Sequence, residues 1–484
     1  MSNSLINSLN KMSNETLTEN GAFSYKSSTS AFVDLFYNAG VLERKNIMDS
    51  KVNKIVDQFE SALSQDKIKA LAIMSYTRDI RNGIGLRLYF RQCIKHLLER
   101  EISVDSASNH IKYLYVMVSS GVGYWDDWFH LFEWSLKNKH YTKKFFAEIT
   151  EKEFTSGDNN LFLKWYPRSG LVWEYMRKYL DLSPKQIRAV LTKYKTTETL
   201  LCAGKFSQIK YDNVPSKAFK KYMSSFQKRD GERFREFLSE VKSGTKKINA
   251  GAIYPHEVLQ NRYDNSQAEA INIMWSQLPD LIKSEASFLP VIDTSGSMNG
   301  LPEDIAISLG IYLAERNKSV FKDNVLTFSN DVHWINIGNL NNVVDKFRKI
   351  EKESEVADTN FEAIFKLLLS TAVKNNVSQS DMPSHLICLT DSEFNQMVSN
   401  PNNTETIQQF YTKEFEKYGY KLPMIVYWNL RVTDTVPALK NEKCLLLGGS
   451  SPNVIKSALE FTSTEEFLNK ILAPYVRVIE NIYY

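Results

Sequence analysis

The residues best suited to chemistry lie in one short stretch, Val291-Ile292-Asp293-Thr294-Ser295-Gly296-Ser297-Met298. It reads D-x-S-x-S at the end of an apolar run. One carboxylate and two hydroxyls are hard oxygen donors of low total charge. Such a set suits an octahedral Mg²⁺ that keeps waters and an open coordination position. Two later loops can complete the shell. Thr359 stands in Asp358-Thr359-Asn360-Phe361 before a helical pattern, and Asp391 follows the apolar run 386–390. Taken alone, Ser295, Ser297 and Thr359 could do no more than cap helices. All three elements in this order favour a metal site of Asp293, Ser295, Ser297, Thr359 and Asp391, with Mg²⁺ or another divalent cation as cofactor.

The elements that must position them alternate from Ser287 onward. Strands are expected at 288–292, 325–328, 332–336, 386–390, 424–430 and 444–447, with helices near 302–316, 339–352, 360–374, 404–418, 453–461 and 464–480. Runs such as Leu386-Ile387-Cys388-Leu389 and Met424-Ile425-Val426-Tyr427-Trp428 are continuously apolar, as in parallel strands covered on both faces. Ala306, Gly310 and Ala314 recur every four residues and give the first helix a smooth stripe for close approach to a sheet. The pattern predicts an open, doubly wound α/β domain over 286–484, whose ligands collect at the carboxyl ends of the strands. Pro290 lacks an N–H and is expected at its strand's first residue.

Upstream the pattern is helical. Apolar faces recur at Ile55, Phe59 and Leu63, at Ile68, Leu71 and Ile73, and at Leu86, Phe90, Ile94 and Leu97. Further helices are expected near 105–119, 125–137, 141–153, 169–180, 184–194, 215–224 and 230–242. Short helices with little strand signal predict a HEAT-like helical repeat of degenerate period over 26–285. Its last stretch, 251–285, is a connector with a helix near 266–284. Residues 1–25 are rich in Ser, Asn and Thr and read as a flexible tail.

Composition limits the function. The 484 residues are 43% hydrophobic and 24% charged, ordinary for a globular protein, and Gly and Pro are scarce at 19 and 13. No run is long and apolar enough to span a membrane, and the first residues do not read as a secretory signal. Four dispersed cysteines suit thiols in a reducing compartment, so a cytoplasmic location is expected. The net +4 is uneven: residues 1–250 hold 40 Lys+Arg against 27 Asp+Glu, a net +13, and residues 251–484 hold 20 against 29, a net −9. Such asymmetry suggests that the basic half meets a polyanion, unless the two halves neutralise each other by docking.

Within the basic half, Arg87, Arg91 and Lys95 fall at i, i+4, i+8, with Arg78 and Arg81 just upstream. A second cluster runs Lys217, Lys220, Lys221, Lys228, Arg229, Arg233, Arg235. These are the candidate phosphate contacts: Arg78, Arg81, Arg87, Arg91, Lys95, Lys220, Lys221, Lys228 and Arg229 above all. They would give salt-dependent RNA binding, while Tyr89, Tyr124, Trp125, Trp128 and Trp165 could stack on bases. The plainer reading of each is a solvated helix face or a core aromatic. Catalytic signatures are missing. Gly83-Ile84-Gly85 and Gly121-Val122-Gly123 are too short for a dinucleotide fingerprint, no phosphate-binding G-x-x-x-x-G-K-[ST] occurs, and the seven histidines form no HExxH. A non-enzymatic role is expected.

Asp293/Ser295/Ser297, Thr359 and Asp391 resemble the metal-ion-dependent adhesion site of von Willebrand factor type A domains. In that family the open metal position takes a carboxylate from a partner, which implies binding of an acidic protein ligand. Thr18-Glu19-Asn20-Gly21-Ala22, Arg78-Asp79-Ile80-Arg81-Asn82-Gly83-Ile84-Gly85, Tyr124-Trp125-Asp126-Asp127-Trp128, Lys164-Trp165-Tyr166-Pro167 and Lys246-Lys247-Ile248-Asn249-Ala250-Gly251 resemble an uncharacterised family. It has plant and giant-virus members and joins a helical region to a C-terminal type A domain. That architecture is similar to the Ro autoantigen, a TROVE-type RNA binder whose helical repeats form a ring closed by the A domain, which implies a helical region able to close into a ring here. The resemblance implies a ribonucleoprotein or RNA quality-control role on structured or misfolded RNA, in the host cytoplasm for a viral member. The heavy use of Asn, Lys, Ile and Tyr is compatible with such a source. The competing expectation is a protein–protein scaffold that engages an acidic partner through the metal site, without RNA.

Overall fold

The computed structural model describes residues 13–39, 49–100, 103–157, 159–194, 196–354 and 357–484. Two compact units divide the chain: Met1–Gln65 with Ile253–Leu472, and Asp66–Ala252 with Ala473–Tyr484. The first is a mixed α/β sheet unit and the second is helical.

The sheet unit holds a hairpin of β1 (Glu15–Leu17) and β2 (Phe23–Tyr25), and a six-stranded sheet. Its strands are β3 (Phe288–Asp293), β4 (Asn324–Phe328), β5 (Val332–Asn336), β6 (His385–Thr390), β7 (Met424–Asn429) and β8 (Cys444–Gly448). They lie where the apolar runs placed them. The order is β5-β4-β3-β6-β7-β8, parallel except for the edge pair β4–β5. Every residue of β3 and β8 is buried, as in parallel strands covered on both faces. The chain leaves β3 toward β4 and β5, then returns to β3's other side with β6. With right-handed crossovers such a reversal sends later helices to the opposite face, an arrangement compatible with a doubly wound domain.

Helix Leu301–Arg316 lies close on the sheet because of its small-residue stripe: a Cβ built at Gly310 would stand 2.4 Å from Ile292 Cδ1. Pro290 departs from expectation, being the third residue of β3, opposite Ile387 of β6. The ladder with β4 begins one residue later, at Val291 opposite Leu326, which spares it the missing donor.

The N-terminal segment is a larger correction. Residues 1–12 of the expected tail lie outside the described residues, but 13–25 are built into the sheet unit. Tyr25 exchanges backbone hydrogen bonds with Val436, at 3.1 and 2.8 Å. Asp34 ties down the following turn by accepting from Ser28 N at 2.8 Å and Ser27 Oγ at 2.5 Å. Helix Ala31–Ala39 is buried from Val33 to Ala39 and packs on β8. Residues 253–285 also group with the sheet, so the expected boundaries at 26 and 285 are not those of the compact units. The connector's helix is shorter than expected, Ala268–Ser276, because Pro279 follows and the residue before proline avoids helical backbone.

In the helical unit, successive helices Lys67–Arg78, Arg87–Arg100, Val104–Ser119, Trp125–Lys137 and Lys143–Ser156 pack against one another. Helix Trp125–Lys137 is the aromatic centre. Trp125 meets Phe162 edge-on at 4.9 Å, Phe132 stacks on Phe146 at 5.3 Å, and Trp128 Nε1 donates to Thr150 Oγ1 at 2.9 Å. A second cluster forms where Tyr211 packs on Phe226, Phe234 and Phe237 from helices Ser216–Arg229 and Gly231–Lys242. Side-chain caps start several of these helices: Asp66 accepts from Lys69 N, and Ser183 forms a capping box with Gln186 ahead of Pro184. Helices Asn160–Trp165 and Thr196–Cys202 went unexpected. Among the described residues no helix is long and apolar enough to cross a membrane.

The contact of helix Ala31–Ala39 with β8 is backbone to backbone at one point. A Cβ at Gly448 would stand 2.3 Å from Tyr37 O and 3.1 Å from Tyr37 C. Gly448→Ala is therefore expected to cost about 1–3 kcal/mol through overpacking, read as a lower Tm and faster proteolysis around residues 26–39. Gly251→Ala, at a site open within 4 Å, is the control and should leave both unchanged.

Candidate functional site

The reversal of winding between β3 and β6 determines what can gather at the sheet's carboxyl edge. Asp293 is the last residue of β3 and Asp391 follows the last residue of β6. Two carboxylates from adjacent strands thus end at the crevice where open α/β sheets take their ligands. Both are fully buried. Burial first, and the Asp391 charge second, push the Asp293 carboxyl well above the usual carboxylate range. Its oxygens are held from both strands: Oδ1 accepts from Ser295 N at 3.0 Å and Oδ2 from Thr390 Oγ1 at 2.5 Å.

The two serines follow in a tight turn, with Ser295 Oγ and Ser297 Oγ 3.2 Å apart. Gly296 N donates to Ala357 O at 3.0 Å, bringing in the loop that carries Thr359. That loop is fixed by Ser329, just past β4, whose Oγ accepts from Ala357 N at 2.7 Å and donates to Asp358 O at 3.1 Å. Asn395 fastens its other side: its N–H donates to Thr359 O at 2.9 Å, and its Oδ1 accepts from Thr359 N at 3.3 Å. All five expected residues are therefore carried by interconnected loops at one edge.

These groups fit a hard divalent cation. Asp391 Oδ2 is buried with no hydrogen-bond partner among the described residues, its one close cation being Arg431 Nη1 at 3.5 Å. No group of three or more His, Cys, Asp or Glu able to hold a metal occurs among the described residues. A metal here would rest on two carboxylates and hydroxyl oxygens, the donor set Mg²⁺ accepts while keeping waters.

Four neighbours escaped the sequence reading. Arg431 also donates to Ser297 O at 3.1 Å, so one guanidinium spans both sides of the site. Thr390 holds Asp293, and Asn20 Nδ2 reaches Glu393 O at 2.6 Å and Thr359 Oγ1 at 3.4 Å. Glu393 in turn accepts from Glu19 N through Oε2 at 2.8 Å. Thr390 sits beside Asp391 in the chain and carried a local signal. Asn20 and Arg431 come from distant segments and carried none beyond the Thr18–Ala22 motif itself.

The basic candidates divide into buried and exposed. Arg78 is fully buried; its Nε and Nη2 donate to Asp127 Oδ2 at 2.9 and 2.7 Å. It has no surface to offer a phosphate. Arg91 joins the same network, donating to Asp127 Oδ1 and Asp126 Oδ2, both at 2.7 Å. Asp127 also accepts from Tyr124 N at 3.0 Å, capping its helix. Lys220 is buried too, and desolvation lowers its pKa to about 8. Arg78 and Lys220 are thus corrected from phosphate contacts to interior groups, and Arg91 is half-buried with its guanidinium held by two aspartates. Arg81, Arg87, Lys221, Lys228 and Arg229 are exposed; Lys95 is half-buried beside Glu99 at 3.7 Å. Of the aromatic candidates, Tyr89, Trp125 and Trp128 are core, and Trp165 is exposed.

Two outcomes follow. Arg78→Ala removes two charge-assisted hydrogen bonds from buried Asp127 and leaves it Arg91 and the Tyr124 N–H, so it should destabilise the protein by about 1.5–3 kcal/mol, measured by denaturant unfolding. MgCl₂ should raise the Tm of the protein above that in EDTA, and this shift should vanish in Asp293→Ala; an equal shift in both would dismiss these oxygens as a metal site.

The sheet unit's site falls in a region, residues 287–474, that matches a family described as a domain of unknown function (DUF7788). Residues 171–287 match a second domain of unknown function (DUF2828). The chain is also similar to an uncharacterized protein of Acanthamoeba polyphaga mimivirus, 26% identical over 521 residues that cover 96% of this chain and 88% of that protein.

Proposed function

We propose that the protein binds RNA without catalysing a reaction on it. The helical unit, taken as a degenerate HEAT-like repeat, holds structured or misfolded RNA, as in the Ro-type architecture it resembles. The sheet unit, taken as a von Willebrand type A-like domain, offers a Mg²⁺-dependent site to an acidic group.

One observation carries the reading: charge segregates by compact unit more sharply than by sequence half. Asp66–Ala252 with Ala473–Tyr484 contain 35 Lys+Arg against 21 Asp+Glu, whereas the sheet unit has 25 against 35. A net +14 on one unit and −10 on the other is the pattern expected of a polyanion-binding module joined to one with another task. The exposed set Arg81, Arg87, Lys221, Lys228 and Arg229 supports it, since phosphate contacts need accessible cations.

The test is a titration of the full-length protein with a structured RNA bearing a single-stranded 3′ tail, at several salt concentrations. Affinity should fall steeply as salt rises, with a slope of about 0.7 per phosphate contact to single strand. The double substitution Lys228→Glu with Arg229→Glu should lower both affinity and slope, while Asp293→Ala should leave RNA binding intact. Absence of binding even at low salt sinks the reading in favour of a scaffold that meets an acidic protein at the Asp293 site.

A further inference from the structure

The helical unit contains a recess of about 530 Å³ built from segments far apart in sequence. That volume lies within the roughly 300–1,000 Å³ usual for small-ligand sites. Arg87, Lys164, Arg168 and Lys217 line it, against a single carboxylate among the described residues, Glu198. Its aromatic wall is Trp165 and Tyr124, whose ring centroids are 5.7 Å apart at 31°.

Three details distinguish this recess from an ordinary dent. Trp165 is 39% exposed although tryptophan is usually well covered. Tyr166, also in the lining, is 2% exposed and its hydroxyl has no hydrogen-bond partner among the described residues. Arg168 is pinned by donating from Nη2 to Leu191 O at 2.9 Å, which pre-sets its guanidinium at low entropic cost. An exposed indole beside several cations matches a planar, anionic ligand. Its flat apolar part stacks on the ring and its charge meets the basic rim.

We propose that this recess binds one unstacked ribonucleotide of a single RNA strand. The base stacks on Trp165, the phosphate meets Arg87, Arg168 and Lys217, and Glu198 accepts a hydrogen bond from the ribose hydroxyls. The proposal rests on the RNA reading above and names the unit of the strand that is recognised. Bases stacked within a duplex cannot enter a recess of this size, so the site selects single-stranded tails or loops.

The experiment follows the fluorescence anisotropy of a labelled single-stranded oligoribonucleotide on the full-length protein. AMP, adenosine and inorganic phosphate serve as competitors, and Trp165→Leu and Lys217→Glu as variants. AMP should compete better than adenosine or phosphate alone, and each variant should weaken oligonucleotide binding about tenfold with an unchanged melting curve. Lys217 is exposed, so its variant reads the recess even if Trp165→Leu melts early. Undiminished binding by both variants, with no competition from AMP, overturns the recess and leaves the RNA reading standing. If the oligonucleotide is not bound but AMP binds saturably in equilibrium dialysis and requires Trp165, the strand is overturned as occupant and the recess takes a free nucleotide. Binding of neither overturns both.

Discussion

The reversal of winding between β3 and β6 is the constraint on which the sheet unit's chemistry depends. A parallel strand buried on both faces has two places where polar side chains can stand, its ends. Two neighbouring strands whose chains depart in opposite directions leave a gap between their departing loops. Asp293 and Asp391 occupy that gap. Their burial, in turn, requires the closeness of the covering helix, and Gly310 supplies it by letting helix Leu301–Arg316 press on Ile292, the residue before Asp293. Two buried carboxylates repel and are costly to desolvate. The fold meets that cost in part with hydrogen bonds from Thr390 and Ser295, and with Arg431 beside Asp391. A divalent cation would complete what a single guanidinium at 3.5 Å leaves undone.

The helical unit puts the same physics to another use. Asp127 is fully buried and carries a charge, yet it is satisfied by Arg78, Arg91 and the N–H of Tyr124. The motif Tyr124-Trp125-Asp126-Asp127-Trp128 is therefore a structural knot: a capping carboxylate, two indoles in the aromatic core, and an acidic clamp for arginines of the preceding helices. This explains why basic residues at helical spacing are not equivalent. Arg78 and Arg91 are consumed inside the unit, while Arg81 and Arg87 on the same stretch keep exposed surface.

What could be read from the sequence follows the range of the interactions involved. Strands β3, β6, β7 and β8 were legible because a strand covered on both faces needs a continuous apolar run, and that is a local property. That the segments carrying the five oxygen-bearing residues meet at one sheet edge was legible because Asp293 and Asp391 stand where apolar strand runs end. The hairpin of β1 and β2 was not, since its strands are three residues each, too short for a period to show, and stabilised by Val436 and Phe394 hundreds of residues away. Arg78 was misread for the same reason: its partner stands 49 residues downstream, beyond any helical periodicity. Pro290 was misplaced because the local rule assumes ladders on both sides, and one of them starts only at Val291.

The remaining step concerns why charge segregates with the units and not with the halves of the chain. The described residues among 13–65 precede the helical region in sequence but group with the sheet, and the last residues of the chain, Arg477 and Glu480 among them, group with the helices. Counting by unit rather than by half moves the separation by one charge, from +13 and −9 to +14 and −10, and all of it comes from residues 1–65, since Arg477 and Glu480 cancel. If the imbalance were an accident of composition, reassigning these segments would be as apt to blur it as to sharpen it. Part of the positive charge is spent on the Asp126–Asp127 knot, so the excess is not a reserve for internal pairing alone. Among the exposed cations, Lys217 and Arg87, the latter also 3.6 Å from Asp126, meet in one recess beside a partly exposed indole. The oxygen cluster around Asp293 in one unit and the basic aromatic recess in the other can thus be altered independently, because no residue argued for either belongs to both.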